Sequence, residues 1–428
     1  MDTDLPLGNK SALVLHFCQF SLSPAIFCIL IFGILNRRFP AARQAVAEHV
    51  GDNLTANDVI LCSGCSCSLD LCISALANPG QNILVPRPGF PLYTTLANGL
   101  GIKTKEYDLL PDQDWQVDLH HMESIIDDDT VAILINNPSN PCGSVFHEEH
   151  LNDILQIAEK YCLPIIADEI YEHFVFNGSE KQYVPLAKLS TSVPILSCGG
   201  LTKRYLVPGW RLGWITMHDR GDIFEKSGIR NGLQKLSQRI IGANTVVQGA
   251  LPSILKETPK SFFNDTLDII ETNAQIAFEK LSQVPGLRPV MPSGAMYMMV
   301  GIDHQGFSQS FANDLEIVEA MVTEQSVFCL PGKCFNIPNF FRIVLTVPYD
   351  LLIEACDRIA EFCRLHYDFT ARLESEESVA PQEEISSGFS SGSSDETEEY
   401  EELKTPQQNT AFMKKFVKRR QSTPSRLA

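Results

Sequence analysis

An α/β fold, with a mostly parallel sheet between helices followed by a smaller α+β unit, is predicted by two features of the chain. Short, wholly apolar runs alternate with longer runs of helical period, and polar residues collect where the apolar runs stop. Strands buried on both faces read as unbroken apolar segments, unlike the alternation of a half-exposed antiparallel sheet. The first run, VILC at 59–62, turns through Gly, Ser and Cys into a helical pattern carrying Leu69, Leu71, Cys72 and Leu76. A second strand is expected over 82–86 and a third, TVAILI, over 130–135. A helix over 150–161 separates the third from a strand at 163–167, and residues 194–197 supply another. From Pro285 the pattern changes, with strands expected at 295–300 and 341–346 and a helix at 351–363. The expected organisation is an apolar segment at 1–40, a large domain at 41–284, a small α+β domain at 285–370 and a tail at 371–428.

Of the 428 residues, 44% are hydrophobic and 20% charged, the composition of a chain that builds a core. The balance of 34 Lys and Arg against 52 Asp and Glu gives a net charge of −18, which disfavours a general nucleic-acid backbone binder. Thirteen cysteines spread through a long chain argue against a small disulfide scaffold and fit a reducing compartment, so the expected location is cytoplasmic.

The two ends differ from the middle. Residues 13–35 form a 23-residue stretch without Lys, Arg, Asp or Glu, followed by Arg37 and Arg38. That length matches a membrane span. The same stretch also admits a signal peptide, a buried element or an atypical chain start, and these readings stay open. Near Ala371 the chain turns acidic and serine-rich, then basic at Lys414, Lys415, Lys418, Arg419 and Arg420, with Phe412, Met413, Phe416 and Val417 interleaved. So little apolar surface cannot offset the entropy of ordering, and the tail is expected to be disordered and dispensable for catalysis.

In an open parallel sheet, ligands bind beyond the carboxyl ends of the strands. Here those ends carry an ordered polar set. Gly64, Cys65 and Ser66 fall at a helix start, where free N–H groups suit a phosphate. Asn140 follows the strand at 130–135, Asp168 ends the next, and Tyr171 lies three residues beyond it. Lys203 lies six residues past Ser197, and Arg211 eight residues further. Singly, each has an ordinary structural reading, such as a cap, a solvated cation or a tight turn. Cys62 and Cys65 form a Cys-x-x-Cys pair, but no second pair with zinc spacing follows, so no metal site is expected. The run CGGLT lacks a nucleotide loop's Lys-Ser/Thr, which disfavours ATP binding.

Taken in order, the stretches NNPSNPCG, ADEIY, LTKRYLVPGWRLGW, PSGAMYMM and NFFRIVLTVP resemble the class I/II aminotransferases, pyridoxal-phosphate enzymes of fold-type I, from about Phe39 to Tyr367. The resemblance implies a large domain with a seven-stranded sheet. It assigns Lys203 the covalent link to pyridoxal 5'-phosphate and the proton carried between Cα and the cofactor. It assigns Asp168 the pairing with the protonated ring nitrogen, and Asn140 and Tyr171 the hydrogen bonds to the ring hydroxyl. Phe90 matches the aromatic side chain stacked on the ring. Gly64, Cys65, Ser66 and Arg211 match the phosphate site, and Arg342, with Asn140 beside it, the site for the substrate α-carboxylate. Gly200 stands where the family commonly has Ser.

The chemistry suits these residue types. A carboxylate keeps a ring nitrogen protonated, an amine that sheds its proton serves as nucleophile and base, and a guanidinium forks onto a carboxylate. The implied reaction moves the amino group of an amino acid, tyrosine by resemblance, to 2-oxoglutarate, giving 4-hydroxyphenylpyruvate and glutamate. The implied partners are an amino acid, a 2-oxo acid and a second subunit, in a homodimer with active sites at the interface. Alternatives are another transaminase, acting on alanine or kynurenine, and a low-activity isoform. Residues 1–36 match neither the family's Gly-Asp-Pro-like stretch nor its Tyr-x-x-x-x-Gly stretch, which reaches the partner's phosphate site.

Overall fold

The computed structural model describes residues 39–240, 242–307, 310–368 and 412–418. Eight strands form the first sheet: β1 (Val59–Cys62), β2 (Asn82–Arg87), β3 (Lys103–Leu110), β4 (Gln116–Val117), β5 (Thr130–Asn136), β6 (Ile165–Asp168), β7 (Ile195–Gly200) and β8 (Gly213–His218). Their order is β1-β8-β7-β6-β5-β2-β3-β4. The run from β7 through β6, β5 and β2 to β3 is parallel, and β8 is antiparallel to both β7 and β1. One strand more than the expected seven is present because β4, two residues long, folds back on β3 with Val117 opposite Leu109.

The apolar runs lie at the centre of this sheet. Every residue of β5 and β6 is buried, as strands covered on both faces require. Helix α1 (Pro40–Val50) packs beside β1, and α2 (Cys65–Leu76) follows it with Leu69, Cys72, Ile73 and Leu76 buried. Helix α3 (Glu148–Tyr161) buries Leu151, Ile154, Leu155 and Ala158 on one face. Glu148 and Glu149 lie in its first turn and Lys160 in its last, the arrangement favoured by the helix dipole.

The second sheet is antiparallel throughout. It contains β9 (Leu287–Pro289), β10 (Tyr297–Ile302), β11 (Leu330–Pro331) and β12 (Phe340–Val344), in the order β11-β12-β10-β9. Two long helices, α4 (Lys260–Leu281) and α5 (Tyr349–His366), pack together, with Lys280 and Asp357 paired at 2.6 Å. One buried cluster joins Ile83, Leu134 and Leu196 of the first sheet to Met298, Val300 and Phe341 of the second. The two sheets therefore share a core, and a site between them is held from both sides.

The tail departs from its expected disorder at one place. Residues 412–418 are helical, and Phe412 and Phe416 are 5% and 2% exposed, within the cluster that joins the two sheets. Spaced four apart, the two rings fall on one helical face, while Lys414, Lys415 and Lys418 stay exposed. The rest of the acidic tail and the apolar stretch at 13–35 lie outside the described residues. Cutting the chain after Asp368 is expected to lower the melting temperature by about 2–6 °C, because two buried aromatic side chains leave the cluster. The catalytic rate per folded molecule should stay unchanged. Differential scanning calorimetry beside a rate assay checks both, and an unaltered melting temperature would mean that the rings add nothing to stability.

Among the described residues no helix is long and apolar enough to cross a membrane. Among the described residues no two cysteines are joined in a disulfide.

Candidate active site

Strand register brings the polar set together. Asn136 at the end of β5 pairs with Asp168 at the end of β6, which pairs with Cys198 of β7. Two residues later Gly200 pairs with Gly213 of β8, itself opposite Cys62 at the end of β1. Beyond this edge, and beneath β10 and β12 of the second sheet, lies a cavity of about 290 Å³. Of the residues expected at the site, Cys65, Ser66, Phe90, Asn140, Asp168, Tyr171, Lys203, Arg211 and Arg342 line it, and Gly64 is the N-cap of α2 at its rim.

The rim at α2 is built by close approach of backbone. A side chain at Gly213 would place its Cβ 2.6 Å from the Cys65 nitrogen, so only glycine lets β8 pass under the helix start. Gly64 adopts φ +77°, and a Cβ there would meet the guanidinium of Arg211. Arg211 crosses the helix start, donating to the carbonyls of Ser63 at 3.2 Å and Pro208 at 3.1 Å. The first N–H groups of α2 have no partner further back in the helix. Together with Arg211 they form an anion cradle suited to a phosphate.

Asp168 lies on the floor of the cavity, 3% exposed. Its Oδ2 accepts from the Tyr93 hydroxyl at 2.7 Å, and its Oδ1 accepts from the Ile170 N–H at 3.3 Å and faces the Cys65 thiol at 3.6 Å. Burial raises its pKa above the usual carboxylate value, and these hydrogen bonds and the charge of Lys203 only partly oppose the rise. Asp168 has no ion-pair partner within 4 Å among the described residues. A buried carboxylate so placed fits a cationic ring nitrogen.

Arg342 faces the cavity from β12. Its Nη1 donates to Asn140 Oδ1 at 2.7 Å, and its guanidinium carbon lies 4.1 Å from the Tyr297 ring centroid and 4.9 Å from that of Phe335. Its Nε is buried without a partner, and burial lowers its pKa below the usual guanidinium value. Its charge is ready for a carboxylate. Lys203 lines the same cavity, and its Nζ donates to the Tyr297 hydroxyl at 3.4 Å and sits 5.3 Å above the Tyr171 ring. Phe90 lines one wall, edge-on to Tyr93 with centroids 5.7 Å apart. Among the described residues no group of three or more His, Cys, Asp or Glu is arranged to hold a metal.

Two site residues escaped the sequence reading. Tyr93 lies three residues after Phe90, so both reach the same wall from one turn. Tyr297 stands in the PSGAMYMM stretch, where only its place next to an apolar strand was legible.

A cavity with a phosphate-type cradle at one end, a buried carboxylate on its floor, a lysine beside it and a guanidinium opposite narrows the families the chain can belong to. The family model for class I and II aminotransferases matches residues 31–359. The chain belongs to the class I and II aminotransferases. As an aminotransferase it is 59% identical over 314 residues to mouse tyrosine aminotransferase, which covers 73% of this chain and 68% of the mouse one. Its fold aligns with tyrosine aminotransferase from Leishmania infantum at a TM-score of 0.75 and 32% identity, covering 80% of this chain and 87% of that one. Alanine aminotransferase from Pyrococcus furiosus aligns at 0.73 and 30% identity, covering 77% and 83%. Aminotransferases of this family depend in general on pyridoxal phosphate, act on amino and 2-oxo acids, and are typically dimeric.

Proposed function

We propose that this aminotransferase binds pyridoxal 5'-phosphate in the cavity and transfers the amino group of tyrosine to 2-oxoglutarate, giving 4-hydroxyphenylpyruvate and glutamate. The observation that carries the reading is that a buried carboxylate without an ion pair among the described residues, Asp168, a guanidinium, Arg342, and a lysine, Lys203, all line one cavity. The tyrosine assignment draws support from the identity to tyrosine aminotransferases of animals. The assembly is taken to be a homodimer with active sites at the interface. The large domain spans 41–284 and the small one 285–370, and a chain with many cysteines and no disulfide between described ones suits work in the cytoplasm.

When bound, the cofactor supplies an electron-accepting ring next to the substrate Cα. Gly64, Cys65, Ser66 and Arg211 hold the phosphate. Asp168 keeps the ring nitrogen protonated by offering it a fixed negative charge in a dry site. Asn140 and Tyr171 bind the ring hydroxyl, and Phe90 covers a ring face. Arg342 orients the substrate by its α-carboxylate, which sets the Cα–H bond toward Lys203. Lys203 Nζ would take the Cα proton, one group positioned to serve as base and then as acid.

Titration of the purified protein with pyridoxal phosphate should give a visible absorbance band, and tyrosine plus 2-oxoglutarate should give glutamate. Absence of the band would overturn the cofactor assignment. Faster turnover of alanine than of tyrosine would overturn the donor assignment. Arg342→Leu should retain the band while kcat/KM for the amino acid falls about 10²-fold, the size of a lost bidentate ion pair. An unchanged kcat/KM would remove Arg342 from carboxylate capture.

A further inference from the structure

Two charged residues stand directly beside site residues in the chain without facing the site. Arg204 follows Lys203, and Glu172 follows Tyr171. Neither lines the large cavity. Glu172 lines a second cavity of about 40 Å³ with His49, Trp214 and Thr216, and the two cavities share no lining residue. Arg204 Nη1 lies 3.7 Å from Glu172 Oε1, with the side chains 18% and 10% exposed. That nitrogen is buried and makes no hydrogen bond, so the ion pair is the polar contact it has. His49, on α1, donates from Nε2 to the same Glu172 oxygen at 2.8 Å. The ring of Phe263, on α4, covers the guanidinium from 4.6 Å. Burial raises the Glu172 pKa, but the contacts with His49 and Arg204 outweigh it and hold the carboxyl below its usual value.

The pair spans a gap in the backbone. Strands β6 and β7 run side by side as far as Asp168 and Cys198, where the Glu169 N–H donates to the Cys198 carbonyl at 2.9 Å. Beyond that point each chain turns on itself. The Tyr205 N–H donates to the Leu201 carbonyl at 3.2 Å and the Leu206 N–H to the Lys203 carbonyl at 3.1 Å. Likewise the Glu172 N–H donates to Glu169 at 2.8 Å and the Phe174 N–H to Tyr171 at 2.9 Å. Among the described residues no backbone hydrogen bond joins the turn at 201–206 to the turn at 169–174. Side chains make the tie instead: Lys203 above the Tyr171 ring inside the cavity, and Arg204 against Glu172 outside it. The first tie changes when Lys203 is linked to the cofactor. The second does not involve the lysine amine, so it is the same in both forms.

We propose that Arg204 and Glu172 are positioning residues: their ion pair, anchored to α1 through His49, fixes the turn that carries Lys203 against the turn that carries Tyr171, and so sets how Lys203 Nζ meets the substrate Cα–H. The proposal rests on the pyridoxal-phosphate aminotransferase reading above. Positioning and stability separate cleanly here. Removing one partner leaves an uncompensated, largely buried charge, which is destabilising, and removing both relieves it. Placement is not relieved, because the tie is missing whichever partner is removed.

The test uses Glu172→Gln, Arg204→Met and the double variant, each in the full chain loaded with pyridoxal phosphate. Three quantities are read: the melting temperature, the dissociation constant of the cofactor, and the exchange of the Cα hydrogen of tyrosine and of alanine with solvent deuterium. Exchange is expressed per cofactor-loaded site, so loss of folded protein does not enter it. Each single variant should melt below the parent, and the double variant should lie closer to the parent than either. Exchange should fall about tenfold in all three, less than the roughly 10²-fold that an ångström of misplacement costs. Cofactor affinity should be unchanged, since the phosphate cradle at Arg211 and the start of α2 is not part of the pair.

A double variant that regains the parent's exchange rate together with its melting temperature would overturn the proposal, because the pair would then serve stability alone. Parental exchange in Glu172→Gln would overturn it as well, and that isosteric change tests the tie even if Arg204→Met fails to fold. A parent protein without the visible band, or without exchange of either amino acid, would overturn the cofactor reading and the proposal with it. Exchange of alanine but not tyrosine in the parent would overturn the tyrosine assignment alone, and the alanine rates would still decide the role of the pair.

Discussion

Lys203→Ala is expected to abolish turnover, with a loss of at least about 10⁴-fold in kcat, the upper range for removing a positioned acid–base group. Lys203 is the lysine that lines the cavity with Asp168 and Arg342, and its Nζ has the Tyr297 hydroxyl as hydrogen-bond partner. The visible band that reports a covalently held cofactor should disappear with it. After borohydride reduction of the parent protein, mass spectrometry of the peptides should find the adduct on Lys203. The variant itself should fold: Lys203 lies at a cavity wall, not in a packed core, and its removal leaves space already open to solvent. A melting temperature close to the parent's would show that the lost rate is chemical. A borohydride-stable adduct at another lysine, or a retained band, would refute the assignment.

The placement of that lysine was legible because several levels of the sequence agreed. Strands such as TVAILI and IIA are apolar, and several polar residues gather at their carboxyl ends in one ordered set. The roles of Asp168, Tyr171, Lys203 and Arg211 came from the resemblance of the ordered stretches to the class I/II aminotransferases, not from spacing alone. Other parts were hidden for physical reasons. Strand β3 reads KTKEYDLL and is only partly buried near the edge of the sheet, so its charged residues mask the apolar signal. Strand β8 reads GWITMH and follows the Gly-Trp-Arg turn so closely that it reads as part of the motif. Tyr297 is a core residue by type and position, and its role depends on a contact across the two sheets that no local pattern encodes. The tail helix was legible only as an alternative to a solvated tail, a weak helix for a membrane surface or a partner, and not as a segment that packs on the core. Phe412 and Phe416 are two rings among charges, and only the surface they meet decides whether two are enough.

Asp168→Asn separates electrostatics from shape. The side chains are nearly isosteric, and the cradle of Arg211 and the α2 start does not depend on the carboxylate, so cofactor should still bind. The rate should fall by about 10²–10⁴-fold, because a neutral amide no longer holds the ring nitrogen protonated and the ring loses its capacity to take up negative charge. Retained activity in the Asn variant would show that Asp168 has another role. A second consequence concerns the cofactor-free protein, where burial raises the Asp168 pKa above its ordinary value of 3.8. A group whose folded pKa is raised binds its proton more tightly when folded, so its contribution is most favourable below the unfolded value. That contribution is lost as pH rises through the folded one. The cofactor-free parent should therefore lose stability relative to Asp168→Asn as the pH is raised from about 4 toward neutrality. Loading the cofactor should reverse the order at neutral pH, since the ring cation then compensates the buried charge. Melting curves of both proteins, with and without pyridoxal phosphate at several pH values, read this directly. A difference between parent and variant that does not change with pH would mean that Asp168 is held by its hydrogen bonds from Tyr93 and Ile170 and not by the charge it awaits.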